Sequence, residues 1–142
     1  MTTTPLYGFS DTSFQAAGGI DGIRQLVDDF YQEMDALPEA ATIRKMHKTD
    51  LAESRDKLTL FLCGWMGGPS LYHEKYGSIN IPRDHAHLPI GEAERDAWLL
   101  CMERSIEKQG YSPEFSTYLL QQLRIPAERI FATSKKPEIK GE

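Results

Sequence analysis

The side chains best suited to proton transfer or metal ligation are four histidines, His47, His73, His85 and His87. Two of them fall in the stretch Arg83-Asp84-His85-Ala86-His87-Leu88-Pro89-Ile90-Gly91. Residues two apart on a helical turn point about 200° away from each other, so only one of the pair could face an interior. The spacing does not choose between them. Tyr31 and Trp98 are the other notable pair, because each sits on an apolar helical face and carries a polar hydrogen that needs a partner when buried. Both donors either bond backbone carbonyls in a core or aim at a ligand in a cavity walled by Phe30-Tyr31 and Phe61-Leu62. The chain holds no G-x-S-x-G, no H-E-x-x-H and no Gly-rich phosphate loop following a strand. Chemistry is therefore expected from a bound cofactor rather than from side chains alone.

The elements that must position these residues read as helices. Ile23, Leu26, Val27, Phe30, Tyr31 and Met34 follow i, i+3, i+4, i+7, i+8 and i+11. Gly18-Gly19 separates this helix from a short segment at 13–17, and Pro38 lies just past its end. A second helix starts near Asp50, a good N-cap, and shows Leu51, Leu58, Phe61, Leu62 and Trp65 as its stripe. Gly67-Gly68-Pro69 stops it. Residues 70–84 show no clear period, and a loop of that length in a compact domain is usually functional. A third helix opens near Gly91-Glu92, with Glu92, Glu94 and Asp96 at its positive end and Trp98, Met102 and Ile106 on its apolar face, and ends at Gly110. A fourth runs from Ser112-Pro113 through Phe115, Leu119 and Leu123. Pro126 should kink or interrupt it, although Ile130 and Phe131 continue an apolar face. No strand is convincing, so the expected class is all-α.

Length and composition narrow the rest. A chain of 142 residues suggests one domain over 1–142, with an ordered core at about 11–133 and loose ends at 1–10 and 134–142. A net charge of −5 with Lys and Arg scattered argues against nucleic acid or an anionic membrane as partner. No stretch approaches the ~18 apolar residues of a membrane span, and Met1-Thr2-Thr3-Thr4-Pro5 lacks the features of a secretory signal. Cys63 and Cys101 lie far apart without a CxxC pair, which suits buried free thiols in a reducing cytoplasm.

Several motifs recur in an order that spacing alone does not explain: Gly18-Gly19, Phe30-Tyr31, Gly67-Gly68-Pro69, His85, Ile90-Gly91, and Glu94-Arg95-Asp96-Ala97-Trp98-Leu99-Leu100-Cys101-Met102. Over about residues 14–132 the chain resembles the group II truncated haemoglobins. The resemblance implies a truncated two-over-two helical globin fold around one haem b, iron protoporphyrin IX. It implies His85 as the axial ligand of a five-coordinate iron. Tyr31 and Trp98 match the family's distal tyrosine and the tryptophan that marks the group. His47 matches a turn position filled by Tyr, Phe or His, and Ser54 and Leu58 match distal-helix positions. With Ser54 where ordinary globins carry histidine, ligand stabilisation must come from elsewhere. The implied cofactor contacts are Phe30, Phe61, Leu62, Leu88 and Met102, with Lys57, Tyr72 and Arg83 toward the haem carboxylates.

The resemblance further implies binding of O2, with NO, CO or peroxide as other ligands. Hydrogen bonds from Tyr31 and Trp98 would slow release of O2, which suits storage less than nitric oxide or peroxide detoxification, as a nitric oxide dioxygenase or peroxidase-like activity. Tyr31 or His47 could occupy the ferric iron in the absence of ligand. Turnover would need an external electron donor or reductase. The alternatives are an oxygen carrier or ligand sensor without turnover, and a haem-free helical interaction module. A monomer or weak homo-oligomer is expected.

Overall fold

A computed structural model of the chain describes residues 7–78 and 88–133. These residues form seven α-helices and one 3₁₀ turn, with no strand among them. In chain order the helices are α1 (Thr12–Ala16), α2 (Gly19–Ala36), α3 (Ala41–Lys45), α4 (Ala52–Trp65), α5 (Leu71–Tyr76), α6 (Glu92–Glu107) and α7 (Pro113–Thr133). The 3₁₀ turn, Pro38–Ala40, joins α2 to α3. None of the described helices is long and apolar enough to cross a membrane.

The fold is built around α2. Its expected stripe of Ile23, Leu26, Val27, Phe30, Tyr31 and Met34 is buried in full, because α2 packs against both α4 and α6. The α6 helix packs in turn against α7, and α4 carries α5. Phe30, Leu26, Leu62, Met102, Phe115, Leu119 and Leu123 close a continuous core between them. Both cysteines are free and buried in it.

Local chemistry sets where the helices start. The Asp50 carboxylate accepts the Ala52 N–H at 2.9 Å, and the Glu94 carboxylate accepts the Gly91 N–H at 2.7 Å. Ser112 Oγ accepts the Phe115 N–H at 3.2 Å. Each satisfies a donor near a helix start, where backbone N–H groups lack helical partners. Gly67 ends α4 at φ +92°, and a Cβ there would lie 1.9 Å from the Ser10 carbonyl oxygen. Only glycine lets the chain turn and pass that close.

Two expectations are corrected. The aperiodic stretch from residue 70 contains α5 over Leu71–Tyr76; six residues make fewer than two turns, too short for a period to declare itself. Nor does Pro126 interrupt the last helix, since α7 runs on to Thr133. The missing proline N–H costs one backbone bond, and burial of Leu119, Leu123 and Ala127 on both sides of it holds the helix together.

Candidate functional site

The helices enclose a cavity of about 400 Å³. Its walls are mostly apolar: Ile43 and Met46, then Leu58, Phe61 and Leu62 of α4, then Leu88 and Ile90, then Leu123, Ala127 and Ile130 of α7. Polar groups are few, and they enter from separate elements. Tyr31 comes from α2, Trp98 from α6, and His47 from the turn after α3. Ser54 and Lys57 come from α4, Tyr72 from α5, and Glu94 and Arg95 from the first turn of α6.

The aromatic side chains lock one another. Phe30 is fully buried, with its ring edge-on to Tyr31 at 5.0 Å and to Trp98 at 5.4 Å. Tyr31 is also edge-on to His47 at 5.7 Å. Rings that meet edge to face resist rotation, which fixes the directions of the polar atoms they carry. His47 Nδ1 lies 2.8 Å from the Ile43 carbonyl oxygen. A carbonyl only accepts, so Nδ1 carries the proton of this bond.

Tyr31 is 5% exposed. Burial pushes its phenol well above the ordinary value, and the Arg55 charge offsets this only in part. The hydroxyl is therefore a neutral donor at any ordinary pH. Among the described residues, neither the Tyr31 hydroxyl nor the Trp98 indole N–H has a hydrogen-bond partner, yet both residues line the cavity. Two donors left open on an apolar cavity are what a site for a small acceptor ligand needs.

Cations stand at two edges. Lys57 pairs with Glu53 at 3.3 Å and keeps 44% of its side chain exposed. Arg95 is more tightly held, by Asp96 and by Glu128 at 3.0 Å each, with its guanidinium 4.9 Å above the Phe131 ring. An apolar group with acidic substituents suits this lining, its body against the hydrophobic walls and its charges toward the cationic edges. Among the described residues no three His, Cys, Asp or Glu side chains gather as a bare metal site.

The cavity brings together most of the residues singled out in the sequence: Tyr31, His47, Ser54, Lys57, Leu58, Phe61, Leu62, Tyr72, Leu88 and Trp98. Phe30 and Met102 are placed differently. Both are fully buried in the core and do not line the cavity; Phe30 instead backs Tyr31 and Trp98. His85, His87 and Arg83 lie outside the described residues. Not anticipated as site residues were Ile43, Met46, Ile90, Glu94, Arg95 and the α7 set of Leu123, Pro126, Ala127 and Ile130. The apolar face that continues past Pro126 to Ile130 is the one signal that pointed to the last group.

With α2 crossing α4 and α6 packed on α7 around one donor-bearing cavity, the architecture is that of a two-over-two globin. Residues 12–131 match the bacterial-like globin family. A group 2 truncated haemoglobin of Bacillus subtilis is 31% identical over 112 residues, covering 79% of this chain and 83% of that one. Among solved structures, the group II two-on-two haemoglobin of Agrobacterium tumefaciens superposes with a TM-score of 0.80 at 34% identity, covering 96% of this chain and 100% of its own. The truncated oxygen-avid haemoglobin of B. subtilis gives 0.76 at 30% identity, over 83% of this chain and 97% of that one. The chain belongs to the bacterial-like globins, as a group II truncated haemoglobin. Such membership implies a haem cofactor, and the cavity's apolar walls, open donors and cationic edges fit one.

Proposed function

We propose that this chain holds one b-type haem in the cavity through His85 and retains dioxygen by hydrogen bonds from Tyr31 and Trp98. The observation that carries the reading is the pair of donors that face the cavity without a partner among the described residues. The haem, when bound, supplies reversible uptake of a diatomic ligand with electron density shifted onto it. The chain's own residues do the rest. Tyr31 offers its hydroxyl from α2, and Trp98 its indole N–H from α6. Phe30, wedged against both rings, holds them in position. His47 packs edge-on against Tyr31 and limits its rotation. Leu58, Phe61, Leu62 and Ile43 exclude water, which strengthens any hydrogen bond made inside.

Ser54 offers only a short hydroxyl from α4, so ligand stabilisation rests on α2 and α6. Two net hydrogen bonds of about 0.5–1.5 kcal/mol each slow ligand release by roughly 5- to 150-fold. The oxygen-avid relative from B. subtilis supports slow release here also. Slow release suits redox removal of nitric oxide or peroxide, driven by an external electron donor, better than oxygen delivery. Lys57, Tyr72 and Arg83 are assigned to the haem carboxylates.

The test is the absorption spectrum of the purified protein in ferric, ferrous and oxygenated states, beside His85→Ala and His87→Ala. A Soret band lost or shifted in the first variant and kept in the second is the expected result. A wild-type protein with no Soret band after haem addition would overturn the reading.

A further inference from the structure

Asp56 lies on α4 beside Lys57 but does not line the cavity. Two other helices nevertheless converge on its carboxylate. From α5, the Tyr76 hydroxyl donates to Oδ2 at 2.6 Å and the Lys75 ammonium at 2.7 Å. From α2, Arg24 stands 4.0 Å from Oδ1. The Asp56 side chain is only 24% exposed. The hydrogen bond from Lys75, followed by that from Tyr76, holds its carboxyl below the usual carboxylate range. The group is therefore ionised and accepts charge-assisted bonds.

This grip matters because α5 has little else. Its six residues are too few to persist as an isolated helix, none of them is fully buried, and Leu71 is the one that packs, partly buried, against the core. A segment with so little buried apolar area opens locally unless polar contacts tie it down. Tyr76 also touches both rim residues that α4 and α5 present to the cavity. Its ring lies 5.1 Å from that of Tyr72, and Lys57 Nζ sits 5.2 Å over its face. Tyr72 and Lys57 both line the cavity.

We infer that Asp56 is a positioning residue for cofactor retention: it anchors Tyr76, and through the Tyr76 ring sets Tyr72 and Lys57 at the cavity rim. This inference rests on the haem reading of the same cavity. Exposed ion pairs contribute little on their own, so the Lys75 contact alone would not matter. The short phenol–carboxylate bond differs, because it fixes the one ring that both rim residues touch.

The experiment uses the haem-loaded protein and its Asp56→Asn, Asp56→Glu, Tyr76→Phe and Asp56→Asn/Tyr76→Phe variants. Haem transfer to an excess of a high-affinity apo-globin is followed by the change in the Soret region. Amide hydrogen exchange is read across residues 71–77. Asp56→Asn should speed haem transfer roughly three- to tenfold and quicken exchange in 71–77 while α2 and α6 keep their protection. Asp56→Glu should recover part of the retention. The double variant should be no faster than the worse single variant, since both changes break one contact. Tyr76→Phe, which keeps the ring, carries the test if Asp56→Asn does not fold. Transfer within twofold of wild type in both single variants would overturn the role of Asp56, as would faster exchange spread evenly over all helices. Failure of the wild-type chain to take up haem would instead sink the haem reading itself.

Discussion

Replacing Tyr31 with phenylalanine should separate the stability of this protein from its hold on a ligand. The change removes one oxygen and keeps the ring that packs on Phe30 and His47. That oxygen opens on the cavity, and the described residues give it no hydrogen bond to lose. A hydroxyl that bonds no protein group but is reachable from the cavity contributes little to the fold. The unfolding midpoint should therefore stay within about 2 °C of wild type. Ligand release should change clearly. A net hydrogen bond of about 0.5–1.5 kcal/mol corresponds to a roughly two- to thirteenfold faster dissociation of O2. Stopped-flow displacement of O2 by excess CO measures the rate, and calorimetry on the same samples measures the midpoint. An unchanged dissociation rate would refute Tyr31 as a donor to the ligand. A midpoint lowered by several degrees would mean that the hydroxyl serves the fold instead.

Two further perturbations test the framework. Gly67→Ala places a Cβ at φ +92° and 1.9 Å from the Ser10 carbonyl, so the backbone conformation alone should cost about 1–3 kcal/mol and the clash should add to it; urea unfolding that differs from wild type by less than about 0.5 kcal/mol would contradict the described close passage. Burial raises the phenol pKa of Tyr31, and that of Tyr111 to about 12, so both favour the neutral form in the folded state. Their contribution is complete below the ordinary value of 10.0 and is lost as pH rises through the folded values, because only the unfolded chain ionises there. Phenolate absorbance should therefore lag in the native protein relative to the denatured one, and superimposable titrations would show that these rings are not desolvated.

The sequence made long elements legible and short ones not. On α2, six apolar positions repeat over three turns, and all six are buried. On α5, six residues allow no repeat, and its position comes from Asp56, Tyr76 and Lys75, a contact made across about 20 residues of chain. Pattern reading does not see such a contact. Pro126 shows the converse failure. The local rule counts the missing backbone bond, about 3 kcal/mol, but not the Leu119, Leu123 and Ala127 burial that outweighs it. A residue's own chemistry states a preference, and packing decides whether it holds.

The site was legible where a distinctive side chain occupies a fixed register, as with Tyr31 and Trp98, and illegible where the register alone misleads. Phe30 adjoins Tyr31 in sequence, but successive helical residues are about 100° apart, so one faces the cavity while the other enters the core. Met102 is four residues beyond Trp98 on the same face of α6, yet one turn carries it past the cavity into the interior. That displacement has a functional consequence. Phe30 is fully buried and touches both open donors, so the rings that would hold a ligand are oriented from the α2–α6 contact at the centre of the core. Donors placed there share the rigidity of the most tightly packed part of the fold and lose little conformational freedom when they engage a ligand. Retention would then owe as much to the stiffness behind the donors as to the donors themselves.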